Sequence, residues 1–259
     1  MLLARAGYAA KGIVYVVIGA LAARVAAGSG GETTDQHGAI QAIGQGPFGA
    51  ISLVVIALGL FGYTAWRLVA AATDAEGDGD GATSLGKRIG QAVRGLAYGA
   101  LGVYALRALK GRGGDGGTAS ETRDWTARLL DLPFGRALVV GVGIGVTIYA
   151  GYQVYRAASD KVKKHLNLAE AGSKADLIVA LGSFGIAARA LVFALIGLFL
   201  VKAGLQRDSS EAGGIAQSLD LVARAPYGRV ALGAVALGLV AYGVYQLATA
   251  RYRRIRAVG

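Results

Sequence analysis

Six long apolar runs dominate this chain, and polar, glycine-rich stretches separate them. A helix of about 17–25 apolar residues can span the hydrocarbon core of a bilayer. The first run also fits a cleaved signal peptide loosely, but its place in the repeat described below argues that it is retained. We therefore predict six transmembrane helices, at Gly7–Ala27, Phe48–Ala72, Ala92–Leu109, Arg136–Ala158, Leu177–Ala203 and Tyr227–Ala250.

Composition and charge favour a membrane protein. Charged residues make up only 17% of the chain and the mean hydropathy is +0.49, whereas soluble domains carry about 25% charged residues. We attribute the net charge of +11 to Lys and Arg that flank the spans, and expect no nucleic-acid binding. With the N-terminus inside, a modest majority of the 27 Lys and Arg residues falls on the inner side. This bias predicts an N-in and C-in topology.

Alternate spans repeat one pattern three times. A cation has a glycine four residues before it, an aromatic residue four after it and a second glycine eight after it. A spacing of four places these side chains along one face of a helix. The three sets are Gly7-Lys11-Tyr15-Gly19, Gly90-Arg94-Tyr98-Gly102 and Gly185-Arg189-Phe193-Gly197.

The spans between them repeat a second pattern, which begins with proline, an aromatic residue and glycine. We expect this proline in the first turn of the helix, where an N–H has no partner to lose, and a short interfacial helix ahead of it, as at 125–132. A glycine, a tyrosine and a polar residue follow at fixed spacings. The three sets are Pro47-Phe48-Gly49 with Gly59, Tyr63 and Arg67; Pro133-Phe134-Gly135 with Gly145, Tyr149 and Gln153; and Pro226-Tyr227-Gly228 with Gly238, Tyr242 and Gln246.

The chain therefore reads as three tandem two-helix repeats, at residues 1–72, 86–158 and 175–250, with linkers at 73–85 and 159–174 and a basic tail at 251–259. These motifs resemble those of a bacterial membrane family known as domain of unknown function 1206. The resemblance implies a six-helix protein of the bacterial cytoplasmic (inner) membrane, built from three paired-helix repeats, and implies no activity. The expected fold class is all-α integral membrane, with the three hairpins about a pseudo-threefold axis.

The shared glycines are expected to let helix backbones approach closely, because lipid supplies little hydrophobic force between helices. A hinge or pore-lining role is the alternative. The glycines concerned are Gly19, Gly102, Gly197, Gly59, Gly145 and Gly238.

The shared polar residues leave two interpretations open. Lys11, Arg94 and Arg189 either reach the head groups and set the topology, or form a ring that binds an anion or a lipid phosphate. The tyrosines of the second helices either form an interfacial aromatic belt or make hydrogen bonds between helices, with polar residues of the second helices or with the cations of the first helices. The groups concerned are Tyr63, Tyr149 and Tyr242, with Arg67, Gln153 and Gln246 as partners.

No catalytic constellation is visible. All 16 Asp and Glu residues lie outside the predicted span cores, both His residues lie in loops, and the chain has no Cys. We therefore predict no enzyme, no cofactor and no metal site. The leading hypothesis is a scaffold or accessory protein that binds bilayer lipid, including anionic lipid, or a membrane-protein partner or second copy. The alternative is an anion or small-solute channel or transporter that uses the basic ring.

Overall fold

The computed structural model describes residues 2–73, 82–111, 118–159, 162 and 167–252. Within these ranges the chain is almost entirely α-helical and has no β-strand. Much of the two predicted linkers and of the basic tail lies outside the described residues. The α-helices of the described ranges are α1 (Leu2–Ala26), α2 (Gln36–Gly44), α3 (Gly49–Thr73), α4 (Ala82–Leu109), α5 (Thr118–Leu130), α6 (Gly135–Ala158), α7 (Leu168–Ala171), α8 (Ala175–Gln206), α9 (Ile215–Arg224) and α10 (Gly228–Tyr252).

Five of the described helices are long and apolar enough to cross a membrane, namely α1, α3, α6, α8 and α10. The helix that corresponds to the predicted third span, α4, is not among them, although it is 28 residues long. Gln91 and Arg94 dilute its apolar run, and the helix begins at Ala82, well before the predicted start. The chain is thus an all-helical protein with several membrane-length apolar helices.

The six long helices form an incomplete ring, in which the described residues of α4 and α6 make little or no contact with each other. The second helix of each repeat packs chiefly on the first helix of the next repeat, so that α3 lies on α4 and α6 lies on α8. The first and last repeats are joined, because α10, the last helix, makes the most extensive contact of all with α1. The order around the ring is therefore α1, α3, α4, α6, α8, α10.

A glycine lies at each of these contacts between repeats. At Gly19 and Gly197 an added Cβ atom would come within 3 Å of the neighbouring helix backbone, so only glycine allows this approach. At Gly102 the added atom would meet a side chain, which is a looser contact. From the position of the added Cβ atom, the distance is 2.7 Å to the Ala236 carbonyl oxygen at Gly19, 3.2 Å to the Phe61 ring at Gly102 and 2.8 Å to the Gly143 carbonyl oxygen at Gly197.

Within a repeat, the two long helices pack closely in the first and third copies but not in the second. A Cβ atom on Gly59 would lie 2.8 Å from the Cβ atom of Ala10, and Gly238 lies equally tightly against Ala188. Gly145 occupies the same place in the second copy, yet nothing lies within 4 Å of the position of its Cβ atom. The helix packing predicted at Gly145 is therefore wrong.

The residue before each repeat cation explains the difference. Ala10 and Ala188 present a single methyl group to the opposing glycine, whereas Val93 stands at that place in the second repeat. Its branched side chain does not allow the same close approach, and Val93 remains 59% exposed. We call the resulting opening the α4–α6 seam and define it by Ile89, Val93, Gly141 and Gly145.

A tight turn joins each short helix (α2, α5, α9) to the long helix that follows it. The Gly49 N–H donates to the Gly46 carbonyl at 3.0 Å, and Pro47 and Phe48 are the central residues of that turn. The sequence pattern predicts the proline in the first turn of the helix. This prediction is wrong, because the proline lies in the tight turn that precedes the helix. The aromatic residue takes the left-handed conformation that usually favours glycine, with φ of 63° at Phe48, 62° at Phe134 and 60° at Tyr227.

Candidate functional site

Two of the three cations of the repeat motif are buried inside the helix bundle. Lys11 is 7% exposed and Arg189 is 8% exposed, whereas Arg94 is only partly buried. Arg67, Arg94 and Arg189 all lie close enough to Lys11 for their charges to act on it. We call this group the cation–tyrosine cluster; its members are Lys11, Arg67, Arg189, Tyr8, Tyr15, Tyr63 and Tyr242, which are buried, and Tyr98, which is partly buried.

Tyrosine rings surround the Lys11 ammonium group. Its Nζ atom lies 5.8 Å from the ring centre of Tyr63 on α3, 5.1 Å from that of Tyr98 on α4 and 5.4 Å from that of Tyr242 on α10. Cation–π contacts of this kind offset part of the cost of burying a charge. No described residue accepts a hydrogen bond from Nζ, so its three N–H donors remain available.

Arg189 is held by one hydrogen bond and by aromatic faces. Its Nε atom donates to the Tyr15 hydroxyl at 3.0 Å, which links the third repeat to the first. The guanidinium carbon lies 4.2 Å from the ring centre of Phe193 and 5.2 Å from that of Tyr242. Arg189 therefore fixes the contact between α8, α10 and α1.

Arg67 is a buried cation that only the first repeat carries, because Gln153 and Gln246 stand at its place in the other two. Its Nε atom donates to the Tyr63 hydroxyl at 2.9 Å, and its Nη2 atom donates to the Tyr8 hydroxyl at 3.0 Å. Arg67 is 6% exposed. It therefore adds a further positive charge beside Lys11.

The structure separates the three motif tyrosines. Tyr63 and Tyr242 are buried and accept hydrogen bonds, the latter from Gln246 Nε2 at 3.1 Å. The interfacial-belt interpretation does not describe these two residues. Tyr149 differs, because it stays partly exposed, lies edge-on to Phe193 at 6.1 Å and is within electrostatic range of Arg94 and Arg189. Gln153, on the same helix, is buried.

Arg94 takes a different position from the other two motif cations. Its Nε atom donates to the carbonyl of Gly90 on its own helix at 2.9 Å. The other two motif cations each contact the motif tyrosine of the next repeat around the bundle: Lys11 contacts Tyr98, and Arg189 contacts Tyr15. For Arg94 the residue at that position is Phe193, which has no hydroxyl. Arg94 therefore stands beside the α4–α6 seam, and among the described residues its Nη atoms have no hydrogen-bond acceptor.

The motif cations have no carboxylate counterion among the described residues. Lys11, Arg94 and Arg189 form no ion pair with any carboxylate in the described ranges, and these ranges contain no group of acidic, His or Cys residues that could hold a metal ion. The one described carboxylate that is buried, Asp35, caps α2 by accepting from the His37 and Gly38 backbone N–H groups. Chemically, the site offers cationic donors and tyrosine hydroxyls, which is a suitable environment for an anion.

Lys11, Arg94, Arg189 and Arg67 are candidate site residues from the sequence alone, whereas the partner roles of Tyr8, Tyr15 and Tyr98 emerge only in the structure. The spacing of four between cation and aromatic residue was the available signal, since it places both on one helix face. The spacing does not show that the aromatic residue of one repeat contacts the cation of another repeat.

Three stretches of the chain, residues 6–74, 89–160 and 184–253, match the family described as Domain of Unknown Function (DUF1206). The predicted tandem repeat is thereby confirmed. A protein of Bacillus subtilis (strain 168), "Uncharacterized protein YxxB", is 34% identical over 252 residues, which cover 97% of this chain and 90% of that protein. No solved structure matches the chain. The chain therefore belongs to the DUF1206 family and carries the unit of that family three times in tandem.

Proposed function

We propose that this protein is a non-enzymatic membrane protein that binds a phosphate-bearing anion at the cation–tyrosine cluster, and serves as a lipid-binding scaffold or accessory protein. The buried positive charge carries the proposal. Lys11 and Arg189 are 7% and 8% exposed and pair with no described carboxylate. An unpaired buried charge costs several kcal/mol, and a bound anion would offset that cost.

Six spans about a pseudo-threefold axis are part of the same proposal. In support of it, α4 packs on α3 of the preceding repeat, as α8 packs on α6 and α1 packs on α10. Its 28 residues extend about 42 Å at 1.5 Å per residue, which exceeds a hydrocarbon core of about 30 Å. The distribution of Lys and Arg favours cytoplasmic N- and C-termini in a bacterial inner membrane.

Binding is better supported than conduction. A channel or transporter that used the basic ring would need Lys11, Arg94 and Arg189 to line a water-filled path. Lys11 and Arg189 instead lie beneath tyrosine rings. The arrangement resembles a site that holds a charged group in place.

Native mass spectrometry of the detergent-purified protein tests this proposal. We expect the wild type to retain a phosphate-bearing species, and the double variant Lys11→Met with Arg189→Gln to lose it. The matched control is Lys202→Met with Arg224→Gln, which removes two cations at exposed positions. Lys11→Met alone is the variant least able to disturb folding, because Lys11 makes no hydrogen bond to a described residue.

Retention that is equal in the cluster variant and the wild type would overturn the proposal, as would the absence of any anion from the wild type. Reconstitution into liposomes provides a second test. Anion flux that disappears in Lys11→Met would show a channel in place of a binding protein.

A further inference from the structure

The α4–α6 seam breaks the ring at one place. The glycines that start the repeat motif make this clear, because a Cβ atom on Gly7 or Gly185 would collide with the backbone of Tyr63 or Tyr242 across the hairpin. Their counterpart Gly90 meets only the guanidinium of Arg94, at 3.9 Å. The first and third hairpins are thus closed toward the bilayer and the middle hairpin is open.

The seam combines apolar walls with a charged end. Ile89 and Val93 are 55% and 59% exposed along α4, and Gly141 and Gly145 leave an open strip on α6. Arg94 stands at the inner end, where Nε is its single donor bonded within the described residues. An apolar groove that ends at a guanidinium matches an amphiphile with acyl chains and an anionic head group.

The depth of Arg94 also fits a lipid phosphate. Arg88 marks the inner end of the bundle, because its guanidinium donates to the Ala71 and Ala72 carbonyls at the end of α3, at 2.6 and 2.8 Å. Arg94 lies about 9 Å further along α4, at about 1.5 Å per residue. A head group drawn inward by this distance meets Arg94 first. The buried Lys11 lies behind it as a 7% exposed cation that forms no ion pair with a described residue.

From this arrangement we infer that the anion is the phosphate of an acidic phospholipid, which enters sideways from the inner leaflet through the α4–α6 seam. The inference rests on the proposed function and identifies its ligand. The acyl chains lie along the strip of Gly141 and Gly145, and the phosphate accepts from the Arg94 guanidinium and from Lys11. Access is lateral, from the bilayer, and a water-soluble anion is not the natural occupant.

The decisive variant is Gly145→Leu, which fills the seam without touching the cluster. Folding should tolerate it, since nothing lies within 4 Å of the position of a Cβ atom there. Gly151→Leu is the matched control on the same helix, because its Cβ position is also open and points about 120° away at 100° per residue. The two probes are phosphatidylglycerol in vesicles with phosphatidylcholine, and inorganic phosphate.

We expect the wild type and Gly151→Leu to retain phosphatidylglycerol in native mass spectra, while Gly145→Leu loses it and still binds inorganic phosphate added in detergent. Arg94→Gln should weaken retention of the lipid about tenfold, as expected for the loss of one charge-assisted contact. Gly145→Leu that retains phosphatidylglycerol as fully as Gly151→Leu would overturn lateral entry, and so would a wild type that binds inorganic phosphate but no acidic lipid. Failure of the wild type to bind either probe would instead reject the proposed function.

Discussion

The first hairpin (α1 and α3) and the middle hairpin (α4 and α6) share every motif but pack differently. In the first, Gly59 lies against Ala10 and the backbone of Tyr63 lies against Gly7. In the middle one, the equivalent Gly145 and Gly90 have no partner across the hairpin. The comparison teaches that the motif sets the register of the two helices, while the residues between the motif positions decide whether they close.

The largest difference between the two hairpins is expected at the first motif glycine. Gly7→Leu should lower the free energy of unfolding by about 3 kcal/mol, because the new side chain meets the backbone of Tyr63 and not a flexible side chain. Gly90→Leu should change it by no more than about 0.5 kcal/mol, since that site is open. Denaturation in mixed micelles of SDS measures both, and equal losses would mean that the middle hairpin is closed as well.

A smaller effect should follow from the hydroxyl that holds Arg189. Tyr15→Phe removes the acceptor of the 3.0 Å bond from Arg189 Nε and leaves a buried guanidinium donor unpaired. We expect a loss of about 2 kcal/mol, measured in the same denaturation assay. Tyr227→Phe, at a position that is 89% exposed, is the control, and a loss of similar size there would contradict the special role of Tyr15.

The reverse substitution sharpens the comparison. Phe193→Tyr restores to the third repeat the hydroxyl that Tyr15 and Tyr98 supply in the other two. If the missing hydroxyl is what leaves Arg94 beside the seam, the variant should gain about 1 kcal/mol in the free energy of unfolding and should retain less phosphatidylglycerol. No gain, with unchanged lipid, would show that Val93 alone keeps the hairpin open.

The smallest effect should be the same in all three repeats. Phe48, Phe134 and Tyr227 all hold a left-handed backbone at 78%, 86% and 89% exposure. Replacing any one by glycine relieves that strain and should stabilise the fold by about 0.5 kcal/mol. Thermal unfolding in detergent checks this, and a gain confined to one repeat would mean that the turns, like the hairpins, have lost the threefold pattern.

Much of the architecture was predictable because its signals are periodic. The spacing of four around Lys11, Arg94 and Arg189 fixed one face per helix, and the repeat fixed which helices correspond. The proline was misplaced by two residues because a tight turn and a helix start use the same residue type. The burial of Tyr63 and Tyr242 was not predictable from the sequence, since helical periodicity alone does not distinguish a face that points into the bundle from one that lies at the membrane interface.

The seam was not predictable for a different reason. It depends on Val93 in place of Ala10 or Ala188, at a position that belongs to no motif. A difference of two methyl groups changes packing only when the opposing backbone is already near contact, and that proximity is a property of the folded ring. The same limit applies to Tyr15, whose partner Arg189 lies 174 residues away in the chain.

Cysteine cross-linking in native membranes tests the central claim most directly, because the chain has no Cys of its own. One pair, Ala10→Cys with Gly59→Cys, spans the first hairpin, where the Cβ positions are 2.8 Å apart and close to the range of about 3.5–4.5 Å of a disulfide. The other pair, Val93→Cys with Gly145→Cys, spans the α4–α6 seam at the equivalent positions. Rapid oxidation of the first pair and none of the second is the predicted result, whereas equal oxidation of both pairs would contradict a ring that opens to the bilayer at its middle hairpin.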